Sequence, residues 1–192
     1  EIIAGHNGRN LKVAAAVTAL AVANIGFHAI ALTSGGLPQM ALRAGLSVLI
    51  FLILLVGGRI TPTFTRNWLV GQSKSLPAQH GKLDDLCLIL SSGALAGWTI
   101  FESTDAASVL LVVSGFLNVL RMLRWRGELT MAEPLLTVLH VGYLWAASAL
   151  VLIGLAGIAP AHVPSMAGTH AAGAGAVGVM TLAVMTRASL GH

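Results

Sequence analysis

Apolar positions fall into six long runs, separated by shorter stretches that carry nearly all the charge. The runs are Val13 to Leu32 (A), about Leu37 to Gly58 (B), Leu86 to Phe101 (C), Ala106 to Leu120 (D), Pro134 to Ile158 (E) and Met166 to about Thr186 (F). Crossing a bilayer takes roughly 20 apolar residues in a helix, so each run predicts a spanning helix, with C and D borrowing flanking residues. None alternates with the period of two that marks a barrel strand. In lipid only helices and closed barrels satisfy their own backbone. The expected fold is therefore all-α: a polytopic transmembrane helical bundle with six spanning helices, one membrane domain over residues 1–192. The B–C connection is the one long loop. Its first part, Gly57 to Leu69, mixes Thr, Arg and aromatic residues and is expected to lie ordered along the interface. Its second part, Gly71 to Lys82, is polar and expected to be mobile. The chain opens on Glu1 and stops at His192 just beyond run F, which suggests a piece of a longer protein.

Composition agrees with a membrane domain. Hydrophobic residues make up 56% and charged ones 9%, with mean hydropathy +0.84. That excludes a water-soluble globular domain, which carries about a quarter charged residues, and it excludes intrinsic disorder. One cysteine excludes a disulfide framework and a cysteine-based zinc or iron–sulfur site. A net charge of +4 raises nucleic acid as a partner. The basic residues sit between apolar runs and form no single polar surface, so no nucleic acid is expected and the lipid bilayer is the partner. Their distribution also assigns the sides. Arg9 and Lys12 precede A; Arg59, Arg66, Lys74 and Lys82 lie between B and C; Arg121, Arg124 and Arg126 lie between D and E; Arg187 follows F. The other three connections hold Arg43 alone, with Glu102 and Asp105 on the C–D turn. By the positive-inside rule both ends of the chain are expected in the cytoplasm. Trp68 and Trp125 would then anchor the cytoplasmic boundary and Trp98 the outer one.

Histidines are the main chemical signal. Of seven, His6, His80 and His162 fall in polar segments and read as solvated imidazoles. His28, His140 and His170 fall inside runs A, E and F, and His192 lies beyond Arg187. An ionisable group within a membrane helix is costly and marks a functional site by default; the bland alternative is a neutral imidazole hydrogen-bonded to a neighbouring helix. At 1.5 Å per residue, His28 lies ~24 Å from Lys12 and His170 ~25 Å from Arg187, on helices running in opposite directions. The two therefore share a level towards the outer leaflet and are expected to line one metal or haem site. His140 lies ~10 Å from Glu133, near the other face, with Thr137 and Tyr143 on its flank. If F is a regular helix, His170 and His192 stand on one side of it ~33 Å apart. Asn24, four residues before His28, can orient that ring or bond another helix. The small residues of F, from Gly168 to Gly178, predict close helix packing or room for a flat macrocycle. Met166, Met180 and Met185 suit copper as soft ligands, though packing is the commoner use of methionine. Arg59 and Arg66 can pair haem propionates or simply set topology. Cys87 reads as a small buried apolar residue. Phosphate-binding, dinucleotide, serine-hydrolase and zinc-protease motifs are absent from the sequence.

The stretch from Gly168 to His192, with its Met-Thr-Arg-Ala-Ser-Leu-Gly-His ending, resembles the NnrS family. So do Glu133 to Trp145, Gly57 to Leu69, and Ala-Asn-Ile-Gly-Phe-His from Ala23. The resemblance implies a bacterial inner-membrane protein containing haem and copper, associated with denitrification and with the response to, or tolerance of, nitric oxide. It implies about 12 spans in the complete protein, with these 192 residues at its centre. It carries cofactor-ligand candidacy, for haem or copper, to His28, His140, His170 and His192. Whether such a protein is an enzyme does not follow. A transmembrane bis-histidine haem electron carrier and a metal-free transporter or scaffold are the alternative readings. The topology has a direct test: a periplasm-active reporter fused at His162, in the E–F connection, is expected to be active, and a cytoplasmic report there would overturn the assignment.

Overall fold

A computed structural model describes residues 8–34, 38–101 and 104–190, without the side chains of residues 8–10, 12 and 34. Most of the described residues are helical, with no strand among them, and six helical rods are long and apolar enough to span a membrane. Rod A is α1, Gly8–Ser34. Rod B joins α2, Gln39–Leu52, through a π-helical turn at Ile53–Gly57 to α3, Gly58–Gly71. Rods C, D and E are α4, Lys82–Phe101, α5, Asp105–Leu123, and α6, Pro134–Ile158. Rod F joins α7, Ser165–His170, through a π-helical stretch at Ala171–Gly178 to α8, Val179–Ser189.

Local chemistry sets the rod ends. Thr104 caps α5, its Oγ1 accepting from Ala107 N at 3.4 Å, and Asp105 favours the positive end of the helix. Pro134 starts α6 where no backbone donor is needed. Between α5 and α6 the chain turns through Arg126, at φ 59°, into a 3-10 turn at Gly127–Thr130.

Helix α6 is the centre of the bundle, with α5 on one side and rod F on another. Its neighbours come close because the contacts are made by small residues. A Cβ at Gly115 of α5 would sit 2.8 Å from Ala147 O. One at Gly168 would sit 2.8 Å from Ile153 N, and one at Gly175 would enter the Trp145 indole at 2.6 Å. Ala171, Ala172 and Ala176 are buried on the same side of F. The small residues of F thus serve close packing against α6, while Gly173 has no atom within 4 Å of a would-be Cβ and shares an exposed flank with His170 and Ala174. Polar clasps add specificity: Ser47 Oγ lies 2.9 Å from Thr99 Oγ1 across α2 and α4. Cys87 is buried, as expected of a small apolar residue. Helix α1 packs chiefly on α2 and leaves most of its described side chains exposed.

Two expectations change. Gly57 to Leu69 is no interfacial loop: rod B runs on as helix to Gly71, 33 residues in all. Its Thr and Arg content hid the helix, because the buried face of α3 consists of Gly58, Thr61, Thr65 and Leu69 and only the last is apolar. The segment from Gln72 to Gly81 has no regular structure, yet it is tied down. Ala78 N donates to Arg124 O at 3.1 Å, Arg124 Nη2 donates to Gln79 O at 3.3 Å, and Pro77 is buried.

Gly168→Ala is expected to destabilise the protein by ~1–3 kcal/mol through overpacking. Gly173→Ala is expected to be neutral or to stabilise it by up to ~1 kcal/mol, because alanine is the better helix former. Unfolding midpoints in one detergent compare the two; equal behaviour would contradict the packing described for F.

Candidate functional site

Two constellations of polar residues lie within the bundle. The first surrounds Arg121, near the end of α5. Sequence position groups this arginine with the topology-setting charges Arg124 and Arg126, but its side chain is 0% exposed. Burying a guanidinium is tolerable only with its donors satisfied, and here four hydrogen bonds do so. Nε donates to Asp84 Oδ1 at 2.8 Å, Nη1 to Tyr143 Oη at 2.9 Å and to Leu54 O at 3.2 Å, and Nη2 to Gly58 O at 3.2 Å. Both carbonyls come from the irregular part of rod B. Pro62 has no N–H, so Gly58 O lacks its i+4 donor; Leu54 O lies in the π turn, where the regular ladder is interrupted. Glycine at 58 is required as well, since a Cβ there would meet the guanidinium at 2.7 Å.

The network extends from Arg121 in two directions. Tyr143 Oη donates to Asn118 Oδ1 at 2.7 Å, and Asn118 Nδ2 donates to Ser91 Oγ at 2.9 Å. On the other side Asp84 Oδ2 accepts from Gly81 N at 2.9 Å and from Arg124 Nη1 at 3.2 Å. Trp125, expected at the membrane boundary, is 2% exposed, because it packs on Tyr143 with ring centroids 4.5 Å apart and lies beneath the Arg121 guanidinium. Sequence reasoning missed this hub. The available signals were Asp84 inside the first turn of a membrane helix, Asn118 one turn before Arg121, and Gly58 four residues before Pro62.

His140 borders the hub. Its ring is buried: Nδ1 lies 3.0 Å from Leu136 O, Nε2 lies 3.5 Å from Thr65 Oγ1, and Trp125 stands at 6.3 Å between centroids. The tautomer these contacts favour carries its proton on Nδ1 and leaves the Nε2 lone pair facing Thr65. Gly127 closes the ring face, since a Cβ there would meet His140 Cδ2 at 2.7 Å. This is the setting of a packed, hydrogen-bonded histidine.

The second constellation is a groove of about 720 Å³ at the opposite end of the bundle, between α1 and the main body. His28 and Asn24 line it from α1, Gln39 and Arg43 from α2, and Ser165, Met166 and Thr169 from α7. Phe27, Leu46, Leu49, Trp98 and Ile153 form its apolar walls, and Phe27 meets the His28 ring edge-on at 5.4 Å between centroids. Asn24 and His28 share a face, as their spacing predicts, with no hydrogen bond between them. His170 follows Thr169 and stands one turn beyond Met166, on the exposed flank of F and not among the groove's lining residues. The structure thus puts His28 in the groove with Met166, while His170 is not among the lining residues and His140 lies apart. His192 and His6 lie outside the described residues. His80 is exposed and pairs with Asp85 at 3.1 Å. No three His, Cys, Asp or Glu side chains come together among the described residues.

Arg121→Met should cost ~3–5 kcal/mol, because it leaves Asp84 buried without its main partner. Adding Asp84→Leu should restore a large part of that loss, since an apolar pair substitutes for a buried ion pair far better than half of one. Thermal unfolding of single and double variants measures the coupling, and a double variant less stable than Arg121→Met would refute it.

A family model described as NnrS protein matches residues 1–192. No curated protein and no solved structure matches the chain.

Proposed function

The chain belongs to the NnrS family, and from that premise we propose that it is a haem-binding, copper-associated protein of the bacterial inner membrane that acts in the response to, or tolerance of, nitric oxide. The observation that carries this reading is the groove lined by His28. A haem needs an imidazole, apolar walls for the macrocycle and polar groups for two propionates. The groove has a histidine, a wall of Phe27, Leu46, Leu49 and Trp98, and Gln39, Arg43, Ser165 and Thr169 around it. Its volume of about 720 Å³ falls in the range of cofactor pockets, roughly 300–1,000 Å³. The residues therefore fit the group. His28 is the first ligand candidate, with Arg43 the partner for a propionate, and Met166 lies on the α7 side, one turn before His170. Bound haem iron with one open position supplies a binding site for nitric oxide. The chain's own part is to hold the imidazole at that level, to keep water off the apolar walls and to balance the propionate charge.

Copper fits less well within these residues. The described side chains offer no three-ligand cluster of the usual donors, so copper in this reading draws on His192 or on ligands outside the chain. The electron-carrier alternative requires a second haem near His140, and the close cover of that ring by Gly127 and Trp125 speaks against it. The basic end of the bundle, with Arg59, Arg66, Arg121 and Arg124, faces the cytoplasm in this reading.

His28→Ala is expected to abolish the haem absorption band of the purified protein, and His170→Ala to weaken or shift it. His140→Ala is expected to keep the band while lowering thermal stability. A haem band that survives His28→Ala unchanged would overturn the assignment. Absence of haem from the unmutated protein expressed with ample haem supply would leave the transporter or scaffold reading.

A further inference from the structure

A second cavity of about 720 Å³ lies at the basic end of the bundle, between α3, the start of α4 and the segment Pro77–His80. Beyond Gly58, its α3 wall is Arg59, Pro62, Thr63 and Arg66. These positions are spaced by three, one and three residues and so share a helix face, with the two guanidinium-bearing positions ~10 Å apart along the axis. Among the described residues neither Arg59 nor Arg66 has a side-chain partner. The acids of the same cavity are already engaged. Asp84 is held by Arg121, Arg124 and Gly81 N, and Asp85 by His80. Asp84 is outweighed by its two arginine partners, and Asp85 leaves one negative charge against Arg59 and Arg66, so the charge balance facing the cavity is positive.

Deeper in the cavity the walls become apolar, with Leu55, Leu88 and the Trp125 ring. Both flanking rods, Gln39–Gly71 and Lys82–Phe101, are long and apolar enough to span a membrane, and the cavity lies beside the first turns of the second, where such a span meets headgroups. We propose that it is a binding site for an anionic phospholipid, whose headgroup phosphate is taken by Arg59 and Arg66 and whose upper acyl segment rests on Leu55 and Leu88. Guanidinium is the side chain best matched to phosphate oxygens, through paired N–H donors. Basic pockets between membrane helices are where such headgroups bind. Free phosphate shares the charge chemistry but gains nothing from the apolar walls, and the walls favour the lipid. The site is separate from the His28 groove and does not depend on the haem reading.

Native mass spectrometry of the purified chain in mild detergent, titrated with phosphatidylglycerol or cardiolipin, tests this. Both are expected to be retained more strongly than phosphatidylcholine. Arg59→Gln and Arg66→Gln are each expected to weaken retention about fivefold, and the double variant about twenty-five-fold, as expected for roughly one charge's worth of surface attraction apiece. Arg59→Lys should keep more of the affinity than Arg59→Gln. Arg126→Gln, an exposed charge at the same end paired to Glu128, should change it less than twofold. Unfolding midpoints of the variants show whether each is folded, and an unfolded single variant is replaced by its lysine counterpart. Equal retention of all lipids, or unchanged retention in the double variant, would overturn the proposal. So would competition by inorganic phosphate at millimolar concentration, which would make the ligand a free anion. Loss of a haem band in the Arg59→Gln or Arg66→Gln protein would assign the arginines to propionates and also overturn it.

Discussion

A charged guanidinium inside a membrane protein must find its whole set of partners in the protein, and Arg121 imposes that condition on the rest of this bundle. Its acceptors come from α4 through Asp84, from α6 through Tyr143 and from rod B through two backbone carbonyls. One side chain on α5 thereby ties together four of the six spans. The irregularities of rod B follow from the same condition. A regular helix has no spare carbonyl to offer, so the π turn at Ile53–Gly57 and the proline at 62 are what allow rod B to act as an acceptor surface. Gly58 then has to be glycine for the guanidinium to come near enough.

The hub and the groove divide the molecule. Around Arg121, at the basic end, polar groups are dense, hydrogen-bonded to one another and buried, and His140 is packed against them. At the other end the walls are apolar, the polar groups are few, and His28 lies in an open groove. Between the two, α6 and rod F are held together by glycine and alanine contacts that leave little freedom to shift. The arrangement separates the self-paired polar hub around Arg121 from the groove that holds His28.

The number of spans, the approximate place of each and the clustering of charge at one end were legible in the sequence, because each is a property of composition along a line. The shared level of His28 and the start of F was legible too, from rise per residue alone: Thr169, beside His170, lines the groove with His28. What escaped was whatever depends on angle or on partners. Arg121, Arg124 and Arg126 look alike as a string, yet only the first meets Asp84, Tyr143 and two carbonyls in the interior. Trp125 looked like a boundary residue because the arginines around it did. The facing of His170 follows from the packing of Gly168, Ala171, Ala172, Gly175 and Ala176 on the opposite side of F, and residues that small leave little hydrophobic period to read. Rod B's continuation was hidden by threonines that pack inside a helix where leucines were the expected sign.

Helix α1 is the least attached part of the bundle, and it carries His28. Its apolar span, Val13–Thr33, is 21 residues or ~31 Å long, close to a hydrocarbon thickness of ~30 Å. A span of matched length has little mismatch to relieve by tilting. What holds it is α2 on one side and surrounding lipid on the others. One wall of the groove therefore belongs to the packed interior and the other to the lipid-facing rim, so solubilisation that strips lipid bears first on the His28 side.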